Sequence, residues 1–147
     1  MAHEITRHDG HVLSDDRARL DMGFVHAALA DAYWSAGRPR AVTERAFAHS
    51  LPVAILAPDG APAGFGRLLT DRALRAHLAD VFVRPESRGR GLGQSLVAFV
   101  LSHPELATVT HWTLMTRDAH GLYARYGFRG GAADPNGMTL VRAAGGG

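Results

Sequence analysis

The stretch 78–93 constrains the fold of this chain most, because it reads as a buried strand, a tight turn and the start of a helix. Residues 78–83 are nearly all apolar, as expected of a strand that is covered on both faces. Pro85 cannot continue a central strand, and three glycines then alternate with two arginines and a leucine before an apolar helical pattern begins at Leu92. Free backbone N–H groups and the positive end of a helix therefore follow a buried strand directly, which is typical of a pyrophosphate site.

Two common phosphate-binding loops do not match this stretch. A Walker A loop ends in Gly-Lys-Ser/Thr, which the chain lacks, and a dinucleotide fingerprint needs a third glycine where Gln94 stands. Arg88, Gly91 and Gly93 instead fit the pattern Gln/Arg-x-x-Gly-x-Gly/Ala after a strand. This pattern resembles the acyl-CoA loop of the GNAT family of N-acetyltransferases. A surface turn is the alternative interpretation of so short a motif.

A second motif lies downstream at the spacing that this family shows. The segment 122–128, Leu-Tyr-Ala-Arg-Tyr-Gly-Phe, resembles the family's Leu-Tyr-x-x-x-Gly-Phe, in which a short helix ends at a glycine and the chain re-enters the sheet. Together the two motifs span residues 78–128, about a third of the chain. Their order and spacing favour the family over a chance match.

Length and composition limit the number of domains, the kinds of site and the cellular location that are expected. With 147 residues, 46% of them hydrophobic, the chain is predicted to form one domain over 1–142, followed by a flexible tail at 143–147. The absence of cysteine excludes disulfide frameworks, thiolate zinc sites and cysteine nucleophiles, and no metal site is predicted. No apolar run approaches the length of a membrane span and no apolar signal core is present, so a cytoplasmic location without a membrane partner is expected.

The charge pattern argues against a nucleic-acid partner. Every basic residue other than histidine is an arginine, and the formal net charge is only +2. The arginines are scattered among acidic residues rather than gathered into a stripe, so a solvated surface is the better interpretation.

Periodicity and turn residues predict an α/β (α+β) domain with a mixed, mostly antiparallel central sheet and about four helices. Strands are predicted at 4–8, 11–14, 53–57, 64–70, 77–83, 112–116 and 138–142, and helices at 21–34, from Thr43 to about 50, at 91–103 and at 118–126. A strand, a long crossover helix and a neighbouring strand imply one locally parallel pair. The GNAT resemblance implies that this pair splays apart to hold the pantetheine of the cofactor.

The resemblance implies acetyl-CoA as the cofactor. The backbone of 81–83 is expected to pair with the pantetheine amides, and the amides of 88–93 are expected to hold the pyrophosphate. Thr116 stands where many members of the family have Asn, and it can supply fewer hydrogen bonds there. The predicted cofactor-binding residues are Val81, Phe82, Val83, Arg88, Gly89, Arg90, Gly91, Leu92, Gly93, Thr116, Ala119 and Tyr123.

Tyr123 is the candidate general acid. In the short helix, Ala119, Leu122 and Tyr126 recur at helical spacing and are expected to face the core, which leaves Tyr123 on an outward-facing flank. In the family the matching tyrosine protonates the departing thiolate or orients the sulfur. A core or half-buried aromatic is the alternative interpretation.

Three residues are candidates for the general base, with a water relay as the alternative. His77 titrates near neutrality and precedes the loop arginine at a distance at which some relatives carry their base. Asp80 lies on the opposite strand face unless a bulge changes the parity. His120 shares a helix face with Tyr123.

Acceptor contacts are expected from the break between the first two helices. Tyr33, Trp34 and Arg38 gather there, and Arg117 is expected to reach the same side; these residues suit a planar or acidic group, or they anchor the helix pair. The sequence thus predicts an acetyl-CoA-dependent N-acetyltransferase that acts on a primary amine of a small molecule or peptide, by direct attack in a ternary complex. The alternative is a non-catalytic acyl-CoA-binding regulatory module, and a homodimer is possible in either case.

Overall fold

The computed structural model of the protein describes residues 2–131 and 134–145. In this part of the chain eight strands form one open sheet in the order β1-β2-β3-β4-β5-β6-β8-β7. The strands are β1 Glu4–Thr6, β2 Val12–Ser14, β3 Leu51–Leu56, β4 Pro62–Thr70, β5 Arg75–Val83, β6 His111–Met115, β7 Arg129–Gly130 and β8 Gly137–Val141. Only β5 and β6 pair in parallel among the described residues, which confirms the predicted mixed, mostly antiparallel sheet.

Four α-helices lie in the described part of the chain: α1 Met22–Asp31, α2 Arg40–Ala48, α3 Leu92–Leu101 and α4 His120–Ala124. The side chain of Asp21 caps α1 by accepting the N–H of Phe24, as its position before an apolar pattern predicts. The predicted start of α2 at Thr43 is wrong. Pro39 occupies the N-cap position, where a backbone N–H is not needed, so the helix begins earlier and buries Thr43 inside it.

Two hydrophobic clusters cover opposite faces of the sheet. The larger one packs α3 and α4 against the strands and includes Leu96, Phe99 and Trp112, all almost fully buried. The smaller one packs α1 and α2 against the other face. Because β3 runs between both clusters, all six of its residues are buried, as in strands that are covered on both sides.

A β-bulge shapes the functional end of β5. The pairing of β4 with β5 shifts register between Phe65 and Arg67, and Asp80 has a φ of +54°. Leu78 and Val81, three positions apart, both pack on the larger cluster, so the strand has switched faces between them. A bulge that changes the parity of the strand was the alternative considered for Asp80 in the sequence analysis, and this bulge is present.

The parallel pair splays apart beyond this point. β5 pairs with β6 only from Arg75 to Leu78, opposite His111 to Leu114. Farther along, β5 has no partner on that side among the described residues, whereas Met115 at the end of β6 still pairs with β8. The splay that the resemblance implied is thus seen directly, and it leaves one edge of β5 open.

Backbone hydrogen bonds to the rest of the domain continue for a few residues beyond β8. The N–H groups of Arg142 and Gly145 donate to the carbonyls of Thr110 and Ala107. Residues 146 and 147 of the predicted flexible tail lie outside the described residues. No helix within the described ranges is long and apolar enough to cross a membrane.

Candidate functional site

A cleft of about 1000 Å³ opens where β5 and β6 separate. Its walls come from the end of β5, the first turn of α3, the segment between β6 and α4, α4 itself and the break between α1 and α2. Two predicted site residues, Arg90 and His120, do not line it. The predicted site residues that do are Tyr33, Trp34, Arg38, His77, Asp80, Val81, Phe82, Val83, Arg88, Gly89, Gly91, Leu92, Gly93, Thr116, Arg117, Ala119 and Tyr123.

The loop between β5 and α3 forms an open anion cradle. Gly89 and Gly91 have φ angles of +81° and +79°, and no described atom lies within 4 Å of the Cβ that a substitution would add. The first backbone hydrogen bond of α3 runs from the N–H of Ser95 to the carbonyl of Gly91. In the described residues, the N–H groups of 92–94 therefore have no backbone acceptor, and they are free to donate to a phosphate.

Arg88, the arginine of the predicted motif, folds back onto β5. Its Nε donates to the carbonyl of Val83 at 2.8 Å, and its guanidinium lies 5.7 Å from the ring centre of Phe82. These contacts tie the start of the loop to the end of the strand. The backbone edge of 79–83 that faces away from β4 remains open to the cleft, where an extended ligand can add as a further strand.

Arg7, in the turn between β1 and β2, forms hydrogen bonds with the same loop and the first turn of α3 from outside the cleft. Its Nη2 donates to the carbonyl of Arg90 at 2.7 Å, and its Nη1 donates to Ser95 Oγ at 3.1 Å. Asp9 lies 3.1 Å from Nη2, and the Arg7 side chain is only 11% exposed. The sequence analysis missed this residue because 83 positions separate Arg7 from Arg90 and no local pattern marks the contact.

Asp80 is the centre of a cluster at the opposite end of the cleft. Its carboxylate accepts hydrogen bonds from Trp34 Nε1 at 2.9 Å, Arg38 Nη1 at 2.9 Å and Arg67 Nε at 2.7 Å. Burial disfavours the charged form of Asp80, but the hydrogen bonds from Arg38 and Arg67 outweigh it and hold the pKa below its usual value. Asp80 is therefore a charged anchor whose lone pairs are already occupied, which makes it a weak proton acceptor.

His77 lies beside this cluster on the wall of the cleft. Its Nδ1 is 2.7 Å from Thr113 Oγ1, and the ring is half-buried. Burial, together with the positive charge of Arg67, lowers the pKa of His77 below its usual value, so the imidazole is neutral at pH 7. His120, by contrast, holds its Nε2 at 2.8 Å from the carbonyl of Pro135, outside the cleft lining.

The expected outward orientation of Tyr123 is wrong, whereas Ala119, Leu122 and Tyr126 pack against the larger cluster as expected. Tyr123 is 7% exposed and packs in the larger cluster, whereas Tyr126 is half-buried and donates its hydroxyl hydrogen to the carbonyl of Gln94. α4 spans only five residues, and Tyr126 lies beyond its end. Burial, with smaller contributions from Asp118 and Tyr33, raises the pKa of Tyr123 to about 12.

The hydroxyl of Tyr123 nevertheless faces the cleft. Tyr123 is one of the lining residues, and its hydroxyl makes no hydrogen bond within the described part of the chain. It is also not among the fully buried polar atoms that lack a partner in these residues. A donor that keeps its proton at every working pH is therefore available to a ligand in the cleft.

The cleft mouth is bounded by residues from two separate elements. The Arg117 guanidinium lies 3.6 Å from the ring centre of Tyr33, a stacked cation–π contact between the α1–α2 break and the segment before α4. Thr116 Oγ1 accepts the N–H of Ala119, and the Thr116 N–H donates to the carbonyl of Asn136, so Thr116 fixes this segment in place. The sequence analysis did not identify Asn136, which also lines the cleft.

Arg67 is a third residue of functional interest that the sequence analysis did not identify, after Arg7 and Asn136. It is the only charged residue between Gly64 and Thr70 in an otherwise apolar strand, and this signal is visible without the structure. A charged side chain within a buried strand requires a partner, and here the partners are Asp80 and Ser50.

The fold and site define an acyl-CoA-dependent transferase, and comparison with known proteins specifies the family. A family model described as an acetyltransferase (GNAT) domain matches residues 49–130. The chain is 41% identical in sequence to an acetyltransferase assigned to the GNAT family, from Xanthomonas campestris pv. campestris, for which a crystal structure is known. The alignment covers 87% of this chain and 89% of that one, with a TM-score of 0.80. Comparison with curated proteins gives no significant match.

More distant structures share the fold alone. N-acetylglutamate synthase from Neisseria gonorrhoeae, solved with coenzyme A and L-arginine, is 16% identical over 95% of this chain and 33% of its own, with a TM-score of 0.67. A Mycobacterium tuberculosis protein solved in complex with CoA is 21% identical over 84% of this chain and 97% of its own, with a TM-score of 0.62. The chain belongs to the GNAT family. It is an N-acetyltransferase, and acetyl-CoA, the cofactor of that family, is its acyl donor.

Proposed function

We propose that the protein transfers the acetyl group of acetyl-CoA to a primary amine of a small molecule or peptide, by direct attack in a ternary complex. The observation that supports this proposal is one cleft whose lining includes the glycine cradle, Tyr123 and His77. Direct attack fits a chain without cysteine, in which no residue of the lining is an obvious covalent acyl carrier.

The residues of the cleft fit the cofactor. The positive-φ glycines 89 and 91 leave room for the phosphates, and the free N–H groups of 92–94 are their donors. The open edge of 79–83 is the surface for the pantetheine amides. Acetyl-CoA supplies a thioester whose carbonyl carbon bonds to the amine nitrogen as the carbon–sulfur bond breaks and the CoA thiolate leaves.

His77 is the general base of this proposal. In the tautomer that this role requires, Nδ1–H donates to Thr113 Oγ1, and the lone pair of Nε2 takes the proton that the amine nitrogen loses. The lowered pKa keeps the ring in this neutral form at pH 7. Asp80 is less suited because Trp34 and two arginines already occupy its carboxylate, and His120 lies outside the cleft lining.

Tyr123 is the hydrogen-bond donor to the leaving sulfur. A pKa of about 12 lies above the value of roughly 8.5 for an ordinary thiol, so full proton transfer to the thiolate is uphill in the free protein. Its role is therefore to donate a hydrogen bond as negative charge develops on the sulfur, and to orient that atom.

Calorimetric titration with acetyl-CoA, CoA and ATP tests the cofactor site. Gly91→Glu is expected to abolish CoA binding, because it places a side chain and a negative charge in the cradle. Gly60→Glu is the matched control: Gly60 has a φ of +87° and equally open surroundings, but it lies in the β3–β4 turn. Failure of the wild-type protein to bind CoA would contradict the cofactor assignment.

An amine panel with detection of released thiol tests the reaction itself. Turnover of at least one primary amine, lost in Gly91→Glu and kept in Gly60→Glu, is the expected result. Tight CoA binding without turnover of any amine would instead favour the non-catalytic acyl-CoA-binding module. The predicted homodimer and cytoplasmic location stay predictions.

A further inference from the structure

We infer that the acceptor amine carries a carboxylate, and that the Arg38–Asp80–Arg67 cluster binds this group. This inference rests on the proposed function of the same cleft and names its substrate class. It depends on the charge of the cluster, on donors that the protein leaves unused and on the position of the cluster beside His77.

The cluster holds more positive than negative charge in a poorly solvated place. Two guanidinium groups share one carboxylate, and the side chains of Arg38, Arg67 and Asp80 are only 22%, 14% and 2% exposed. Both arginines contact the same Asp80 oxygen, at 2.9 and 2.7 Å, so one positive charge is left without a counter-ion in the cluster. A half-buried cation without a partner is costly, and an anionic ligand removes that cost.

Each of the two arginines has one guanidinium nitrogen that makes no hydrogen bond within the described residues. Among the described residues, Arg38 Nε and Arg67 Nη2 make no hydrogen bond, whereas the remaining guanidinium nitrogens of the two side chains are occupied. Neither nitrogen is one of the fully buried polar atoms that lack a partner in this part of the chain, so both keep some solvent exposure, and both side chains belong to the cleft lining. Guanidinium donors are well matched to a carboxylate in geometry and charge.

The rest of the cleft does not cancel this charge. Asp118 is the other acidic residue of the lining, and Arg117 stands next to it on the same exposed segment. Arg88 belongs to the pyrophosphate loop. The acceptor end of the cleft therefore repels a purely cationic amine, such as a diamine, and attracts an amine that brings its own carboxylate.

Matched acceptors test this inference. β-Alanine, γ-aminobutyrate and a set of L-amino acids are each compared with their carboxamides, and the two ω-amino acids also with diamines of the same length. The measured quantity is kcat/KM for thiol release at saturating acetyl-CoA. Because hydrogen bonds to charged groups are strong, a carboxylate acceptor is expected to exceed its carboxamide by about tenfold to hundredfold, with the diamine slower still.

Variants of Arg38 test whether the cluster causes the preference for carboxylate acceptors. Arg38→Gln is expected to bring the carboxylate-to-carboxamide ratio close to one while the Kd for acetyl-CoA stays unchanged. Arg38→Lys keeps the charge and is expected to retain part of the preference. Arg40→Gln is the matched control, because Arg40 is exposed, pairs with Glu44 within α2 and does not line the cleft. A ratio that Arg38→Gln leaves unchanged would overturn the inference.

A binding measurement separates this inference from the proposed function. The CoA complex is titrated calorimetrically with an N-acetylated amino acid and with its amide, and preferential binding of the carboxylate that Arg38→Gln removes supports the inference. If amines are acetylated but carboxylates and carboxamides react equally, the inference fails and the proposed function stands. If acetyl-CoA binds and no amine reacts, the proposed function fails; equal or absent binding of the two acetylated ligands then overturns the inference as well.

Discussion

Replacement of Arg7 by Gln is expected to weaken CoA binding, although Arg7 lies on the far side of the loop from the cleft. The arginine holds Arg90 O and Ser95 Oγ at 2.7 and 3.1 Å, and both acceptors belong to the loop and first turn that form the proposed pyrophosphate cradle. Without these bonds the loop has to be ordered by the ligand itself, which lowers affinity.

The size of the effect follows from the two bonds. Hydrogen bonds to a charged group contribute about 1.5–3 kcal/mol each, but water replaces part of what is lost at a loop surface. A net loss of about 1–2 kcal/mol corresponds to a Kd for CoA that rises about fivefold to thirtyfold. The assay is calorimetric titration with CoA, accompanied by KM values for acetyl-CoA and for S-acetylpantetheine, which has no pyrophosphate.

Arg19→Gln provides the matched control, since Arg19 pairs with Glu4 of the same hairpin at 3.0 Å but does not contact the loop. We expect Arg7→Gln to raise the KM for acetyl-CoA and to leave that for S-acetylpantetheine nearly unchanged. Equal losses for both donors would show that the hairpin affects the whole domain, and an unchanged Kd for CoA would refute the reasoning.

Three further predictions concern the cleft. Tyr123→Phe is expected to lower kcat by about 10²-fold with little change in the KM for acetyl-CoA, and full activity at every pH would exclude a role for the hydroxyl. The pKa of His77 is lowered, and the neutral ring is the active form in the proposed mechanism, so kcat/KM should rise as the pH increases through a value below 6.5 and then level off; this limb should vanish in His77→Gln, and its persistence would assign it to another group. The pKa of Asp80 is also lowered, so its carboxylate stabilises the fold above its unfolded pKa of about 3.9, and this contribution is lost as the pH falls through the folded value. Asp80→Asn should therefore reduce the free energy of unfolding by about 2 kcal/mol at pH 7, measured by urea titration, with a smaller difference from wild type at low pH; an equal difference at both pH values would contradict the ion-pair account.

Local patterns predicted the parts of the protein that depend on neighbouring residues. The glycines between Arg88 and Gly93 identified the loop because a positive φ and the absence of a Cβ are properties of single residues. Hydrophobic periodicity and turn residues predicted the long helix and every strand except β7, whose two residues are too few to show a pattern. The splay of β5 from β6 came only from the family resemblance, since no pattern in either strand encodes where their pairing stops.

Features that depend on how two segments of the chain pair or pack together could not be predicted from local patterns. The bulge at Asp80 is set by the register of β4 against β5, and the contact of Arg7 with Arg90 bridges 83 positions. The burial of Tyr123 was only an alternative in the sequence analysis, because helical spacing does not show how the other elements pack around so short a helix. Arg67 was visible in the sequence as a charge in an apolar strand, but its partners were not.

The open edge of β5 also has a consequence for self-association. A strand with unpaired N–H and C=O groups is a template for another strand, and here that template lies inside the sheet, between β5 and β6, where lysines or prolines cannot shield it without blocking the cofactor. In the proposed binding mode, acyl-CoA occupies this edge in the manner of an added strand. Cofactor loading should therefore protect the protein from edge-to-edge aggregation, and the free protein should be the form that aggregates first on heating.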